Sequence, residues 1–256
     1  MSPTRPQPAI DPDLVATLRR LKLGKLLDTL PERLALAKKN KLTHTEFLQV
    51  VLGDEITRRD ASSAALRART AGLDPTMTLD RWDPTTTATF DRHLWDELCS
   101  LRFVDTANNV IVMGPVGVGK TFLATALGHI AARRRRSVHF ERADRLHKRL
   151  RAARLDNSHE VELRKLLRVE VLILDDFALG GLDAADTSDI YELVVERHRR
   201  ATTILTSNRE PIEWLALMAD PLLAQSAVDR LKSAAYELVV EGESYRDRQK
   251  PTIGHA

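Results

Sequence analysis

Cysteine is nearly missing from this chain. Cys99 is the only one in 256 residues, which excludes an internal disulfide framework and any cysteine-based zinc cluster and suits a reducing compartment. Aromatic residues contribute only 5% of the chain, and no apolar run approaches the roughly 18 residues that a membrane-spanning helix needs. The opening MSPTRPQPAIDPD has no apolar segment of signal-peptide type. These absences predict a soluble cytoplasmic protein. Neither sign of charge dominates: 39 Lys and Arg face 36 Asp and Glu, a net +3. The balance hides a local excess, because residues 133–168 carry thirteen basic against five acidic side chains. Such polarity favours a polyanion as partner on one side of the molecule.

The most specific stretch runs from Val110 to Thr121, VIVMGPVGVGKT. A short apolar run rich in β-branched residues, expected to be a buried strand, leads into Gly114-Pro115-Val116-Gly117-Val118-Gly119-Lys120-Thr121, a phosphate-binding loop followed by a helix. Its glycines let successive backbone N–H groups turn toward phosphate oxygens, and the helix adds its positive N-terminal end. Lys120 is then expected to reach the β- and γ-phosphates of a nucleotide, with the Thr121 hydroxyl on Mg²⁺.

Around this loop the chain divides unequally. Residues 1–10 are proline-rich and expected to be disordered. Leu14, Leu18, Leu21, Leu26, Leu27, Leu30, Leu34 and Leu36 recur at helical spacing, and Thr43 and Glu46 form a capping box before Phe47, Val50, Val51 and Ile56. Residues 1–70 are therefore expected to form a helical domain. Arg58, Arg59, Arg67 and Arg69 lie toward its end, either as a solvated face or as a contact with nucleic acid. Residues 71–90, broken by glycine, proline and threonine, are expected to be a linker or a hinge packed on the next domain. Residues 91–256 form the larger domain. Its first helix carries Leu94, Leu98 and Leu101 inward, with Trp82, Trp95 and Phe103 either in the core or on a pocket wall.

Beyond the loop, apolar segments at 137–140, 169–174 and 202–206 alternate with helical patterns at 144–155, 161–167 and 190–198. With the strand before the loop, they predict a four-stranded parallel sheet covered by helices on both faces. Ligands of such sheets bind beyond the carboxyl ends of the strands. That rule brings the phosphate loop, Asp175-Asp176 after VLIL and Asn208 after TTILTS to one edge. Asp175 is expected to hold Mg²⁺ through its water shell, and Asp176 is placed to polarise an attacking water. Asn208 is suited to orient that water, unless it is simply a turn residue.

Together the phosphate loop, LILDD, TTILTSN, AVDRL at 227–231 and GESYR at 242–246 resemble the IstB-like transposition helper ATPases, relatives of the DnaC-type helicase loaders in the AAA+ superfamily. The resemblance extends from LKLGKLLDTL to Arg246. It implies an AAA+ P-loop NTPase fold after a small helical domain, and an ATPase using ATP and Mg²⁺. It also implies a homo-oligomer on DNA, with ATP at subunit interfaces, that helps a cognate transposase capture its target. By this likeness Asn208 matches the sensor residue and Arg230 the arginine finger that reaches the neighbouring subunit. In this clade a helical insertion before the LILDD strand touches DNA, which here makes 142–168 the candidate, with Arg142, Arg145, Lys148, Arg149, Arg151 and Arg154 on backbone phosphates. A solvated helix face is the alternative. Asp176 departs from the Glu of many AAA+ proteins. The sequence also stops soon after Arg246, short of a helical lid, which makes Arg246 the candidate second sensor. A helicase loader, a nucleotide-gated adaptor with negligible turnover and a small-molecule kinase are the rival functions.

Overall fold

The computed structural model describes residues 10–83, 85 and 87–245. They fall into two compact units that divide between Ser63 and Ala64. The expected disorder of the first residues and the expected role of Arg246 lie outside the described residues.

The first unit contains helices α1 (Pro12–Arg20), α2 (Leu30–Asn40) and the beginning of α3 (His44–Thr70). Asp11 caps α1 by accepting from the Asp13 N–H. The expected capping box precedes α3: Thr43 N–H donates to Glu46 at 2.7 Å, and Glu46 N–H donates to Thr43 Oγ1 at 3.3 Å. The buried centre is small, Leu26, Leu30 and Val51 with Leu18, Leu23, Leu27 and Phe47 packed around it. Ile56 does not join it. Phe47, Val51 and Glu55 follow one another at i,i+4, so Ile56 lies about 100° further round the helix and is exposed, along with Leu48 and Leu52. Glu55 occupies the inner face instead, held by Arg58 at 2.7 Å and Arg59 at 2.6 Å. Those two arginines are thus not simply a solvated face.

In the second unit a parallel sheet of five strands has the order β2-β3-β4-β1-β5. Its strands are β1 (Asn109–Met113), β2 (Val138–Arg142), β3 (Val171–Asp175), β4 (Thr202–Ser207) and β5 (Ala235–Val239). The first four were expected and β5 was not. The named strands all pair in parallel, and β1 sits between the central β4 and the edge strand β5. Both faces of the sheet are buried, which explains why β1, β3 and β4 are buried at every position. One apolar cluster contains Val110, Val112 and Ile173 with α6 (Lys120–Arg133), α4 (Arg92–Ser100) and α5 (Arg102–Asp105). The other contains Ile111, Leu172, Leu174 and Leu205 with α7 (Ala143–Leu155), α8 (His159–Arg168), α9 (Ala184–Arg197), α10 (Pro211–Trp214) and α11 (Pro221–Ser233).

Several of the described residues between 71 and 90 pack into this unit. Ala71 and Leu73 are buried, and Phe140 N–H donates to Ala71 O at 2.7 Å. Trp82 meets Phe122 and Phe90 edge to face, at 5.2 and 6.0 Å between centroids. Trp95 and Phe103 belong to the core.

Candidate nucleotide site

β1 delivers the chain at Met113 to the carboxyl edge of the sheet, and the loop from Gly114 to Gly119 turns back into α6. Three of its residues have a left-handed backbone: Gly114 at φ 148°, Gly117 at 87° and Gly119 at 99°. Space is as restrictive as conformation at Gly114, where a Cβ would lie 2.0 Å from the Val240 carbonyl oxygen. No other residue satisfies both conditions. Lys120 is buried and donates from Nζ to Pro115 O at 2.7 Å, so its ammonium is folded under the loop.

Thr121, Asp175 and Thr206 make a polar cluster at the tips of α6, β3 and β4. Thr121 Oγ1 donates to Asp175 Oδ1 at 2.8 Å, and Thr206 Oγ1 donates to the same oxygen at 2.6 Å. Asp175 is only 4% exposed. Burial pushes its carboxyl above the usual range, and the two hydroxyl donors only partly oppose this. A carboxylate so enclosed is well matched to a cation. The hydroxyl and carboxylate oxygens of Thr121 and Asp175 are the hard donors that Mg²⁺ accepts when phosphate and water complete its shell. The fit of the residues to Mg²⁺ is therefore chemically sound.

Asp176 follows in the left-handed region at φ 55°, a costly backbone for a residue with a Cβ. Neighbouring bonds hold it there. Its N–H donates to Thr206 Oγ1 at 2.9 Å, and Phe177 N–H donates to Thr206 O at 2.8 Å. The side chain is thereby turned from the strand into a cavity of about 590 Å³. Gly117 to Thr121, Asn208 and Arg142 line the same cavity. Trp82 and Met77 form part of its apolar wall, while Glu243 and Tyr245 enter it from the segment after β5. That segment is tied to the loop, since Tyr245 N–H donates to Gly117 O at 3.0 Å.

One expected residue is placed differently. Arg142 belongs to the cavity, because β2 extends to residue 142 and the ladder sets it beside Asp175. Its Nη2 lies 3.6 Å from Asp176 Oδ2 and its Nε 3.1 Å from Asp144 Oδ1. Arg230 does not line the cavity. It donates to Ser226 O at 3.0 Å and to the Ser226 hydroxyl, on its own helix. Among the described residues it has no ion pair with Asp229 or Glu237. Of the two places the sequence left open for Trp82, the pocket wall holds; sequence reasoning missed Thr206 and the place of Glu243 and Tyr245 in that wall. A hydroxyl residue next to the carboxyl end of a fully buried strand was the signal available for the first.

The insertion α7–α8 has most of its expected DNA-facing cations paired with acids. Arg149 donates to Glu141 at 2.6 Å and also meets Glu162. Arg151 meets Asp186, at 2.9 Å through Nε, and Asp183 at 3.0 Å. Arg154 donates to Asp189 at 2.5 and 2.7 Å. Asp186 and Asp189 are each 1% exposed on α9, so these pairs fasten α7 to the body of the unit. Arg145 and Lys148 are exposed on the opposite side.

The IstB-like ATP binding protein family matches this chain over residues 16–252. The chain belongs to that family. A Mycobacterium tuberculosis protein named as an ATP-binding protein in an insertion sequence is 39% identical over 242 residues, 94% of this chain and 96% of that one. The IS21 ATP-binding protein of Pseudomonas aeruginosa is 36% identical, covering 94% and 91% respectively. Among solved structures, the DnaC helicase loader aligns with a TM-score of 0.54 at 19% identity, over 65% of this chain and 98% of that one. AMPPCP-bound DnaA from Aquifex aeolicus aligns with a TM-score of 0.51 at 22% identity, over 65% and 51%. The fold is that of the AAA+ P-loop ATPases, with a helical region before it. The family is an ATP-binding one, and its relatives are named for insertion sequences. Among the described residues no helix is long and apolar enough to cross a membrane.

Proposed function

We propose that this IstB-like protein is a Mg²⁺-dependent ATPase that assembles on DNA and helps the transposase of its insertion sequence capture target DNA. The meeting of the phosphate loop with the Asp175 strand tip, through the Thr121–Asp175 hydrogen bond at 2.8 Å, carries the nucleotide half of the proposal. The relatives' insertion-sequence names support the transposition half and favour it over a helicase loader.

In this reading Gly114 to Gly119 receive the phosphates, and Lys120 exchanges the Pro115 carbonyl for phosphate oxygen. Thr121 and Asp175 hold Mg²⁺, which offsets negative charge on the phosphate oxygens. Asp176 accepts the proton of the attacking water, and Asn208 orients that water. Arg142, its Nη2 3.6 Å from Asp176 Oδ2, is the cation that faces that carboxylate in the cavity. Arg230 acts on a neighbouring subunit's nucleotide, which its absence from this chain's own cavity permits.

Turnover measured with and without DNA separates this proposal from an adaptor that binds ATP without hydrolysing it. Mixing experiments test the shared site. Lys120→Ala and Arg230→Ala should each lose activity, an arginine finger being worth on the order of 10³-fold in rate. A mixture should recover part of it, because a Lys120→Ala subunit lends Arg230 to a neighbour with an intact loop. No recovery in oligomers shown to be mixed would refute an arginine acting between subunits.

A further inference from the structure

The end of β4 is fastened to the turn at 175–177 through two neighbouring hydroxyls with different partners. The Thr206 hydroxyl donates to Asp175 Oδ1 at 2.6 Å and accepts from the Asp176 N–H at 2.9 Å. The Ser207 hydroxyl donates to Phe177 O at 3.0 Å and accepts from Trp214 Nε1 at 3.2 Å. Successive residues of a strand point to opposite faces. One hydroxyl therefore serves the two acids, and the other serves the apolar packing of Phe177 and Trp214.

Thr206 is 0% exposed and does not line the cavity, so neither solvent nor a nucleotide accounts for a hydroxyl there. Strand propensity would be met equally by valine, which has no polar atom to bury. What the hydroxyl does is use its one proton and a lone pair on consecutive residues. Its bond to Oδ1 joins that of Thr121 on the same oxygen and fixes the rotation of the Asp175 carboxylate; among the described residues no hydrogen bond reaches Oδ2. Its bond to the Asp176 N–H supports a left-handed backbone, φ 55°, that persists only where the surroundings hold it. We propose that Thr206 is a positioning residue for both acids, setting the Asp175 carboxylate for Mg²⁺ and the Asp176 side chain for the attacking water through a single hydroxyl. The proposal rests on the ATPase reading above and deepens it. Asn208 follows two residues later, so the groups assigned to the metal, the proton and the water are all referred to the tip of one strand.

The test compares Thr206→Val, which keeps the shape and β-branching, with Thr206→Ser, which keeps the hydroxyl, and with Ser207→Ala. For each full-length variant, kcat and KM for ATP are measured, together with the Mg²⁺ concentration that half-saturates the further rise in Tm that Mg²⁺ adds to the ADP-bound protein. Thr206→Val should raise that concentration about tenfold, the effect of losing one hydrogen bond to a charged group. It should lower kcat about a hundredfold through the displaced acid, while KM at saturating Mg²⁺ stays within about twofold. Thr206→Ser should restore both quantities, and Ser207→Ala should lower Tm without moving either. Should Thr206→Val not fold, Thr206→Ala makes the same comparison. Unchanged kcat and Mg²⁺ requirement in the variant without the hydroxyl, no restoration by serine, or the same losses in Ser207→Ala would overturn the proposal and leave the ATPase reading standing. An unaltered protein that binds Mg²⁺ and ADP but turns over no ATP would overturn the ATPase reading instead, and the Mg²⁺ requirement of Thr206→Val would still decide the role at Asp175.

Discussion

The carboxyl edge of the sheet and the α7–α8 hairpin both concentrate charge, and they dispose of it in opposite ways. At the edge, residues from α6, β2 and the segments after β3 and β4 converge on one cavity, with Lys120 buried in its lining and Asp175 buried behind Thr121. On the hairpin, acids that lie 35 positions away in sequence take up two of the arginines. Charge density along a chain is therefore not the same quantity as charge available to a ligand. What settles availability is whether the fold brings in a buried partner of opposite sign, as α9 does with Asp186 and Asp189.

The strongest way to break this contrast is to remove function at the edge without touching the fold. Asp176→Asn retains the size and backbone preference of the aspartate but cannot take a proton. Turnover should fall on the order of 10³-fold while ATP and Mg²⁺ still bind, whereas Asp175→Asn should damage both. Normal turnover in Asp176→Asn would move the general base elsewhere. Lys120→Ala comes next, with ATP affinity reduced on the order of a hundredfold in a protein whose circular dichroism is unchanged. Isothermal titration with a slowly hydrolysed analogue measures this, and an unaltered affinity would remove the phosphate loop from nucleotide binding.

The hairpin should respond in stability instead. Arg154→Ala leaves Asp189 buried with only His159, at 2.8 Å, still on it. Loss of one partner from such a pair costs about 3 kcal/mol, which in a unit of this size lowers Tm by roughly 6–12 °C. Arg145→Ala, on the outer face, should change Tm by less than about 1 °C. Equal effects of the two substitutions would show that the inner pairs do not fasten the helix.

Much of the edge was legible because its signals are local. The loop is contiguous and has a physical reason for each glycine and for Lys120, and Asp175 announces itself by ending an apolar strand. β5 was hidden because Ala235–Val239 is an edge strand in which only Leu238 is buried, so it lacks the apolar run that betrayed β1, β3 and β4. Arg142 was assigned to the hairpin since the second strand was expected to stop at 140; two more residues of ladder moved it to the cavity. Arg149, Arg151 and Arg154 could not be told from Arg145 and Lys148 by charge alone. Only the fold's acids separate them, Glu141 with Glu162 on Arg149, Asp186 on Arg151 and Asp189 on Arg154.

The smallest expected effect concerns pH and again sets the inner side of α7 apart. Glu141, next to last in β2, has its side chain 13% exposed, accepting from Arg149 at 2.6 Å and lying 3.3 Å from His139 Nε2. Burial alone would raise its carboxyl, but hydrogen bonds from His139 and Arg149, with their charge, overcome this and bring it down to about 2. A carboxyl whose folded value lies below its unfolded value of about 4.3 stabilises the fold fully above that value and loses its contribution as pH falls toward 2. Glu141→Gln should therefore be less stable than the unaltered protein by about 2 kcal/mol near neutrality, and the gap should close as the medium is acidified. Urea unfolding at successive pH values measures it. Asp144→Asn, on a half-exposed carboxylate beside Arg142 and Lys148, should open a gap of less than about 0.5 kcal/mol at any pH. A gap for Glu141→Gln that stayed constant on acidification would mean that packing, not charge, makes this side of the helix the fixed one.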